Sequence, residues 1–507
     1  MMVLVALAGC GPRASDVDVA GTRVPDAVYG VPNNDFANQW DNPRFDDDDL
    51  SSFLVQPHPS AHELRLSLGD GRRFHRIWHA GDILLDADVD TATVSALYLV
   101  ALKAEFGDFN QRTELTIEAL DADGALLDTR TVTLASSPLL LNHHLQASEH
   151  VYALQSFGNE AMIRDYRAIL GDHFSSVDGP TYGFDVWLQD EIELAWGVAP
   201  GGRRMNVAID SIRDRGLDDM PEDLLRGEDF GVLTWGNGLA NTLDSFGNLE
   251  VSPPVEGFPQ GRIYYGALDG FAPRDTVLFD KLERQVIQDP FTVDTSWLCV
   301  GHVDEFMSFV PDSNAPRGFR FIYTDITLGY ALLDAMDPGI ALDRYAGPNS
   351  HGFDTVGDLV TDNGLRLLNE DTQVQILDPI LEQMISELGL LDEEIVLFPG
   401  IFEEPAGCAG ALAALTPGMA NLIVTNQPGE PSKVFMADPY LRADESDLDA
   451  DPYIAAVRDA MPAELQLHFL DDFQTYHLAL GEVHCGTNVV RTPPPEFAWW
   501  TPNGGDE

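Results

Sequence analysis

Four polar residues stand in apolar surroundings and have the side chains that covalent catalysis needs: Asp190, His302, Asp304 and Cys485. Cys485 lies next to Gly486 in the stretch Tyr476–Asn488. A cysteine in this setting is a candidate nucleophile, because thiolate chemistry needs close approach of the backbone and a partly open pocket. A free cysteine is also often a small buried hydrophobic residue, so a structural thiol is the alternative for this stretch alone.

His302 and Asp304 lie two positions apart in the apolar segment Val300–Pro311. A charged pair among apolar residues needs a reason to be buried. A histidine can act as general acid and general base near neutral pH, although a structural His–Asp hydrogen bond would give the same pattern. His484 is the poorer partner for Cys485, because neighbouring residues of a strand point to opposite faces.

The segment Trp187–Glu193 is rich in side-chain oxygens. If it is extended, one face carries Gln189, Glu191 and Glu193, since the period of a strand is two. Asp190 then points alone to the opposite face, toward a pocket. Oxygen ligands crowded on one face repel each other unless a cation neutralises them. The alternative is an exposed strand edge whose carboxylates are solvated.

A thiol, a histidine and two aspartates together suit a guanidinium substrate. Asp190 and Asp304 can each accept two N–H groups of a guanidinium. Cys485 can attack the electron-poor central carbon, and His302 can protonate the departing ammonia and then activate water. The order of these residues in the chain does not by itself establish that chemistry.

The segments that must position these residues differ in texture along the chain. From Glu63 to Leu134, apolar and polar residues alternate over short runs separated by turns, which predicts an antiparallel β-sandwich. Beyond about residue 136, short β runs mix with helices, which predicts a mixed α/β fold. The clearest strands are Phe319–Tyr323 and Leu422–Val424. No internal repeat and no specific glycine-rich phosphate loop is recognisable.

One helix is predicted with both of its ends, over Asp378–Leu388. Asp378 is the candidate N-cap, Pro379 suits the first turn, and Gly389 is the stop signal.

The composition is strongly acidic. Of the 507 residues, 83 are Asp or Glu and 29 are Lys or Arg, which gives a formal net charge of −54. Such a field repels nucleic acid and attracts cations, so it favours calcium or basic polypeptides as partners. A solvated acidic surface, as in salt-adapted proteins, is an equal alternative. The length suits one or two compact domains.

The first ten residues, Met1–Cys10, resemble a bacterial lipoprotein signal that ends in Leu-Ala-Gly-Cys. Removal of residues 1–9 would leave Cys10 as the lipidated N-terminus, followed by a linker over residues 10–29. The predicted location is the bacterial cell envelope, with the protein lipid-anchored and facing the periplasm or the exterior. No later segment reaches about 18 continuous apolar residues, so no spanning helix is expected.

The cysteines and the N-terminal acidic residues give weaker signals. The cysteines are too scattered for a disulfide framework, and no CxxC pair indicates zinc. With Cys10 lipidated, three thiols are expected at Cys299, Cys408 and Cys485. The acidic stretch Asn33–Asp49 has the clustered oxygens of a calcium-binding loop, and it also has the composition of a solvated loop.

Four long motifs resemble the peptidylarginine (protein-arginine) deiminases: Trp187–Glu191, Ser245–Val255, Trp297–Pro311 and Gly481–Asn488. They occur in the order of that family, and the similarity extends from about Val31 to Trp500. The resemblance implies a calcium-dependent hydrolase that converts arginine residues of proteins to citrulline. It also implies a five-fold pseudosymmetric α/β propeller over residues 136–507, preceded by an immunoglobulin-like, calcium-binding domain over residues 30–135.

The resemblance also implies roles for individual residues. The implied catalytic residues are Asp190, His302, Asp304 and Cys485. Arg215 matches the arginine that holds the substrate backbone, and Trp187 and Val300 match the walls around the aliphatic part of the substrate arginine. One implied calcium site consists of Gln189, Glu193, Glu250 and the carbonyls of Phe246 and Leu249. The other consists of Glu191, Asp210, Ser211 and Asp214.

The chain departs from the family pattern in three places. Vertebrate members have a further N-terminal immunoglobulin-like domain that this chain lacks. Ala479 stands where some members carry a substrate-binding arginine, and Asp214 stands where asparagine is common. Two other functions remain as alternatives: a deiminase of free arginine or another small guanidine, and a non-catalytic calcium-binding surface protein.

Overall fold

The computed structural model describes residues 21–32, 50–70, 74–227, 229–234, 239–268, 270–347, 350–494 and 497–501. Cys10 and the acidic stretch from Asn33 to Asp49 lie outside these residues, so lipidation and a calcium-binding loop there stay predictions. Within the described ranges, no helix combines the length and the apolar character that crossing a bilayer requires.

The N-terminal strands form two sheets around one core. Their bounds are β1 (Ala27–Gly30), β2 (Leu50–Val55), β3 (Glu63–Leu68), β4 (His75–His79), β5 (Asp82–Leu85), β6 (Thr91–Ser95), β7 (Val100–Phe106), β8 (Arg112–Leu120) and β9 (Leu126–Ser136). One sheet has the order β1-β9-β8-β3-β6 and the other β2-β7-β4-β5. Leu66 and Ile117 of the first sheet share an apolar core with Ile77 and Leu102 of the second.

Apolar residues alternate with polar ones in this region because each strand buries one face in the core between the two sheets. Side chains of β3 and β8 alternate between buried and exposed, since successive residues of a strand point to opposite faces. The predicted linker is too long, however. Residues 27–29 belong to β1, which pairs in parallel with β9.

The rest of the chain is mixed α/β, as predicted. Its strands are β10 (Leu140–Leu141), β11 (Ser148–Gln155), β12 (Phe174–Asp178), β13 (Ile192–Ala199), β14 (Arg203–Asp210), β15 (Phe230–Leu233), β16 (Leu249–Val251), β17 (Ile263–Gly266), β18 (Phe291–Val293), β19 (Met307–Pro311), β20 (Phe319–Asp325), β21 (Ile395–Pro399), β22 (Phe402–Glu403), β23 (Ala413–Ala414), β24 (Ile423–Thr425), β25 (Lys433–Ala437), β26 (Gln466–Leu470) and β27 (Thr487–Arg491).

The α-helices are α1 (Glu160–Leu170), α2 (Leu188–Glu191), α3 (Thr276–Gln285), α4 (Ile326–Asp334), α5 (Val356–Thr361), α6 (Asn363–Thr372), α7 (Asp378–Leu388) and α8 (Pro452–Ala460). Helix α7 has the predicted bounds, and it ends at Gly389, which adopts the left-handed conformation that glycine tolerates. Asp378 is not its N-cap, because a helical turn over Gln373–Leu377 leads into α7 without a break. Asp378 instead accepts a hydrogen bond from the Gln373 side chain.

Among the described strands, five sheets repeat one arrangement. In each, a first strand runs antiparallel to a second, and the second runs parallel to a third. The five sets are β13/β14/β15, β16/β17/β18, β19/β20/β21, β24/β25/β26 and β27/β11/β12. The last set pairs β27, near the end of the chain, with β11, near the start of this region. The repeat lies in the strand pairing, which explains why no repeat is recognisable in the sequence.

Candidate active site and metal-binding cavities

The first strand of each repeated set is preceded by a residue of one central site. Asp190 precedes β13, Phe246 precedes β16, Asp304 precedes β19, Asn421 precedes β24 and Cys485 precedes β27. Residues far apart in the chain thus meet because they occupy equivalent positions in equivalent units. Two hydrogen bonds join the segments directly. The Gln189 N–H donates to the Cys485 carbonyl at 3.2 Å, and the Asn421 side chain donates to the Asp304 carbonyl at 3.2 Å.

The thiol of Cys485 is buried, with 4% of the residue exposed. Its Sγ lies 3.2 Å from Nδ2 of Asn421 and donates to Oδ2 of Asp304 at 3.4 Å. Asn421 also accepts hydrogen bonds from the backbone N–H groups of His484 and Cys485, which fixes the turn that carries the thiol. Burial raises the pKa of the Cys485 thiol well above its ordinary value, and the charges of Asp304 and Asp190 raise it further.

His302 is fully buried, and its orientation is set by two neighbours. Nε2 lies 2.8 Å from the Thr242 carbonyl, and it must be the donor because a carbonyl only accepts. Nδ1 lies 3.6 Å from Oδ1 of Asp190. The Asp190 carboxylate therefore faces Nδ1, the ring nitrogen of His302 that has no hydrogen-bond partner.

Asp190 is buried, and burial raises its pKa against the opposing charges of His302, Arg213 and Arg215. Its Oδ2 lies 3.5 Å from Arg213 and 3.8 Å from Arg215. Arg215 also makes two hydrogen bonds to Asp185, at 2.9 and 2.5 Å. The structure thus brings Arg215 to the site, but its guanidinium is held by Asp185. Arg213 was not among the predicted site residues, although it lies in the same Asp210–Gly216 stretch.

A cavity of about 220 Å³ opens between these side chains. Its lining includes Asp190, His302, Arg213, Arg215, Trp187, Val300 and the thiol of Cys485. The Trp187 ring packs edge-on against Tyr476, with the ring centroids 5.5 Å apart. Gly481 is required at the cavity wall, because a Cβ there would lie 2.4 Å from the Trp187 ring. Ala479 also lines this cavity, which places a methyl group where some family members carry an arginine.

The expectation of three free thiols is wrong. Cys299 and Cys408 form a disulfide, with their Cα atoms 5.4 Å apart, and Cys485 is the free cysteine within the described residues. Two cysteines separated by 109 residues give no sequence signal of pairing. Cys299 lines the cavity next to Val300, so one end of the disulfide lies at the cavity wall.

The predicted strand over residues 189–193 is also wrong. Leu188–Glu191 forms a helical turn, and the strand begins only at Ile192. Strand alternation therefore does not explain why the Asp190 side chain faces the thiol cavity while Gln189 and Glu191 face the candidate calcium sites.

The orientation predicted for His484 rests on the same assumption of a strand. Residues 483–486 form a turn before β27, and the His484 Nδ1–H donates to Asp304 at 2.8 Å, so His484 and Cys485 contact the same carboxylate.

The first set of predicted calcium ligands surrounds a cavity of about 40 Å³ lined by Gln189, Glu193 and Glu250. Gln189 Nε2 lies 2.8 Å from Glu193 and 3.4 Å from the Phe246 carbonyl, and Leu249 precedes Glu250 in β16. Burial raises the pKa of Glu250 to about 7, and burial and the charge of Glu250 raise the pKa of Glu193 well above its ordinary value. Two buried carboxylates that disfavour ionisation fit a site for a cation.

The second predicted set gathers around Glu191, the last residue of α2. Both carboxylate oxygens of Glu191 and Oδ1 of Asp210 are buried and have no hydrogen-bond partner. Burial raises the pKa of Glu191 to about 8 and that of Asp210 to about 9. The Ser211 N–H donates to the Glu191 carbonyl at 2.9 Å, which holds Ser211 at the cluster. Orphaned buried oxygens of this kind also fit a hard cation.

Asp218 belongs to this cluster and was missed from the sequence. Its carboxylate lies with those of Glu191 and Asp210, the donor atoms of all three being within 4.8 Å of one another. The predicted ligand Asp214 is exposed. Burial raises the pKa of Asp218, and the charge of Asp214 raises it further. From the sequence, the pair Asp218-Asp219 indicates only a charged surface. Nothing in the sequence shows which of the two acidic residues faces inward.

Comparison with known proteins agrees with the resemblance of the motifs. The family model described as Protein-arginine deiminase (PAD) matches residues 126–501. This chain belongs to the protein-arginine deiminase family. The chain is 31% identical over 432 residues to protein-arginine deiminase type-4 of Homo sapiens, covering 80% of this chain and 62% of that protein.

Other deiminases match over a shorter region. The chain is 34% identical over 331 residues to protein-arginine deiminase type-1 of Mus musculus, covering 62% of this chain and 47% of that protein. It is 33% identical over 329 residues to the type-3 protein of Homo sapiens, covering 62% of this chain and 48% of that protein. The chain thus spans about 62% or less of the length of these deiminases.

The buried carboxylates predict how the stability of the calcium-free protein depends on pH. Because the pKa values of Glu191 and Asp210 are raised to about 8 and about 9 in the fold, the folded state binds more protons than the unfolded chain above about pH 4. Stability from these groups is present at low pH and is lost as pH rises through those folded-state values. We expect the unfolding temperature in chelator to fall between about pH 5 and pH 8.

The Glu191→Gln variant should flatten this dependence, because it removes one of the titrating groups. Glu393→Gln, at an exposed position, is the matched control and should follow the parent protein. Calorimetric unfolding at several pH values measures the effect. An unchanged slope in Glu191→Gln would contradict the assignment of Glu191 as a strained buried acid.

Proposed function

We propose that this chain hydrolyses arginine side chains of proteins to citrulline and ammonia through a covalent intermediate on Cys485, under the control of calcium. One observation carries the proposal. Oδ1 of Asp190, Oδ1 of Asp304 and Nδ1 of His302 are buried without hydrogen-bond partners, and they lie around the only free thiol of the described residues. Unpaired buried polar atoms are costly, and a bound guanidinium would satisfy both carboxylates.

Binding of the substrate would prepare the nucleophile. The guanidinium brings a positive charge between Asp190 and Asp304, beside a thiol whose pKa is raised by those same carboxylates. An adjacent positive charge lowers the pKa of a thiol, so the substrate itself favours the thiolate. The thiol proton has an acceptor at hand, since Sγ already donates to Asp304.

The bond changes then follow from the positions of the side chains. Sγ forms a bond to the central carbon of the guanidinium, and His302 donates a proton to one terminal nitrogen, which leaves as ammonia when its C–N bond breaks. His302, now neutral, removes a proton from a water molecule that attacks the same carbon. The C–S bond breaks, the remaining hydroxyl proton of the attacking water passes to solvent, and a neutral ureido group is the product. The regenerated thiolate takes back the proton that Asp304 accepted. Asp190, 3.6 Å from Nδ1, stabilises the imidazolium form of His302.

Trp187 and Val300 support a long aliphatic stem in the cavity, as in an arginine side chain. Free arginine has the same stem, so the distinction between protein and free amino acid depends on contacts of the substrate backbone. Arg213 and Arg215 are the charged groups that line the cavity beside Asp190. We assign backbone contact to these two arginines, with Asp185 positioning Arg215.

Calcium is the proposed cofactor. Gln189, Glu193, Glu250 and the carbonyls of Phe246 and Leu249 would hold one ion, and Glu191, Asp210, Ser211 and Asp218, with Asp214 at the rim, would hold another. When bound, these ions would neutralise the buried carboxylates of both sets. Because Asp190 lies between Gln189 and Glu191, fixing those two residues fixes Asp190.

The finer architecture is also part of this proposal. The repeated strand sets are consistent with a five-bladed α/β propeller over residues 136–507, closed by the pairing of β27 with β11. The two N-terminal sheets are consistent with an immunoglobulin-like sandwich over residues 30–135. Lipid anchoring through Cys10 in a bacterial cell envelope remains a prediction from the sequence.

The proposed reaction is tested by measuring citrulline on a blocked arginine peptide and on free arginine, with calcium. The parent protein should convert the peptide in preference to free arginine. Cys485→Ser and His302→Ala should each lower turnover by at least about 1,000-fold, since the loss of one member of a catalytic unit removes most of its effect. Circular dichroism controls for folding, and appreciable turnover by a folded Cys485→Ser variant would remove Cys485 from the mechanism.

The calcium sites predict a separation between binding and chemistry. Glu193→Gln should raise the calcium concentration for half-maximal activity by about tenfold or more, given that even an outer partner of a metal ligand is worth roughly 10- to 100-fold in affinity. Asp190→Asn should abolish turnover while calcium still binds, as measured by calorimetry. Glu393→Gln is again the exposed control. Full activity of the parent protein in excess chelator would rule out the calcium switch.

A further inference from the structure

A second set of metal-ligating side chains meets in the cavity that contains Glu193 and Glu250. His144, Glu250 and His484 each offer a ligand atom, and these atoms lie within 4.8 Å of one another. Nε2 of His484 lies 3.5 Å from Oε1 of Glu250, and the two imidazole rings are 5.4 Å apart between centroids. All three residues line the same cavity of about 40 Å³.

The two histidines are oriented as metal ligands are. Nδ1 of His144 lies 3.0 Å from Oγ of Ser308 and 3.3 Å from the Phe309 carbonyl. In the tautomer that carries its proton on Nδ1, the carbonyl accepts that proton and the lone pair is on Nε2, free to bind a metal. Nδ1 of His484 donates to Asp304 at 2.8 Å, which directs Nε2 toward Glu250. Histidines that bind metal commonly donate their other N–H to a carbonyl or a carboxylate in this manner.

The donor set differs in kind from the calcium ligands. Calcium takes six to eight oxygen ligands, whereas two imidazoles and one carboxylate suit zinc and related transition metals. In a zinc site with bonds of about 2.1 Å, neighbouring ligand atoms lie roughly 3.4 Å apart. Nε2 of His484 and Oε1 of Glu250 are already 3.5 Å apart, and the ligand atom of His144 lies within 4.8 Å of both.

We propose that His144, His484 and Glu250 form a transition-metal site of the zinc class, which competes with calcium for Glu250. Both ions would occupy one small cavity and share one carboxylate, and two divalent cations at such a distance repel each other strongly. The Arg491 guanidinium also lines the cavity and opposes any cation, while Glu193 and Glu250 offset its charge. The cavity therefore holds one divalent cation at a time.

The consequence for catalysis rests on the proposed function. If calcium must occupy the oxygen ligands to position Asp190, zinc bound through Glu250 would hold the protein in an inactive state. Zinc would then raise the calcium concentration that activity requires, and excess calcium would reverse the inhibition.

The site is tested first by binding, without any assay of activity. The calcium-free, full-length Cys485→Ser variant is titrated with zinc by calorimetry and with cobalt(II) by visible absorption, so that the catalytic thiol cannot supply a ligand. Adding His144→Gln should weaken binding by more than about 100-fold, because an outer partner alone is worth roughly 10- to 100-fold. The matched control is His150→Gln, a partly exposed histidine bonded to Ser175, which should bind as the parent does. Circular dichroism checks the fold of each variant.

Two binding results would overturn the site. One is equal zinc affinity with and without His144→Gln. The other is loss of all binding on the Cys485→Ser change alone, which would assign the ion to the thiol.

Competition is tested next, by titrating calcium into protein preloaded with zinc. The apparent calcium affinity should fall by at least about tenfold in the parent and stay unchanged in His144→Gln. Zinc binding without any effect on calcium affinity would overturn the sharing of Glu250. Absence of citrulline formation by the parent protein, with Cys485 intact and zinc and cobalt binding preserved, would contradict the proposed function and leave the metal site standing.

Discussion

Buried negative charge around α2 is the constraint on which the site depends. Glu191 and Asp210 belong to one cluster, and Glu193 and Glu250 belong to another. Asp190 lies in α2 between Gln189 and Glu191, so five carboxyl groups crowd a region shielded from water. Burial raises the pKa of each of these five groups. Repulsion among buried carboxylates must be relieved either by protonation or by a bound cation, so this cluster is suited to binding cations.

The repeated strand sets explain how distant parts of the chain build one site. In each set, the segment that precedes the first strand reaches the candidate active site or the adjoining calcium ligands. Each of these segments supplies a side chain or a carbonyl. The thiol of Cys485 is held by Asn421 from one set and faces Asp304 from another. Hydrogen bonds link these segments to one another, and α2 contributes Gln189 to one candidate cation site and Glu191 to the other.

The sequence predicted much of this arrangement and failed where local geometry decides. The alternation in β3 and β8 was readable, because a two-residue period follows directly from burial on one side, and the bounds of α7 were readable from the stop signal at Gly389. The long family motifs identified Asp190, His302, Asp304 and Cys485 as one catalytic set from the sequence alone. The helical turn at Leu188–Glu191 was not readable, since four residues carry too little periodicity to separate a turn from a strand.

Residues that matter through distant contacts were also missed. Asn421 and Arg213 give no signal in isolation, since their importance comes from the partners that the fold supplies. The pairing of Cys299 with Cys408 and the inward position of Asp218 depend in the same way on tertiary structure. The meeting of His144 with His484 joins residues 340 positions apart, in turns that precede the paired strands β11 and β27.

The central claim is that calcium orders α2 and so positions Asp190. Hydrogen–deuterium exchange of the full chain, in chelator, in magnesium and in calcium, measures this order directly for peptides that cover residues 187–193. Calcium should slow exchange in these peptides by about tenfold or more, whereas magnesium, which requires near-ideal octahedral geometry and keeps several waters, should not. Identical exchange of residues 187–193 in calcium and in chelator would contradict the account.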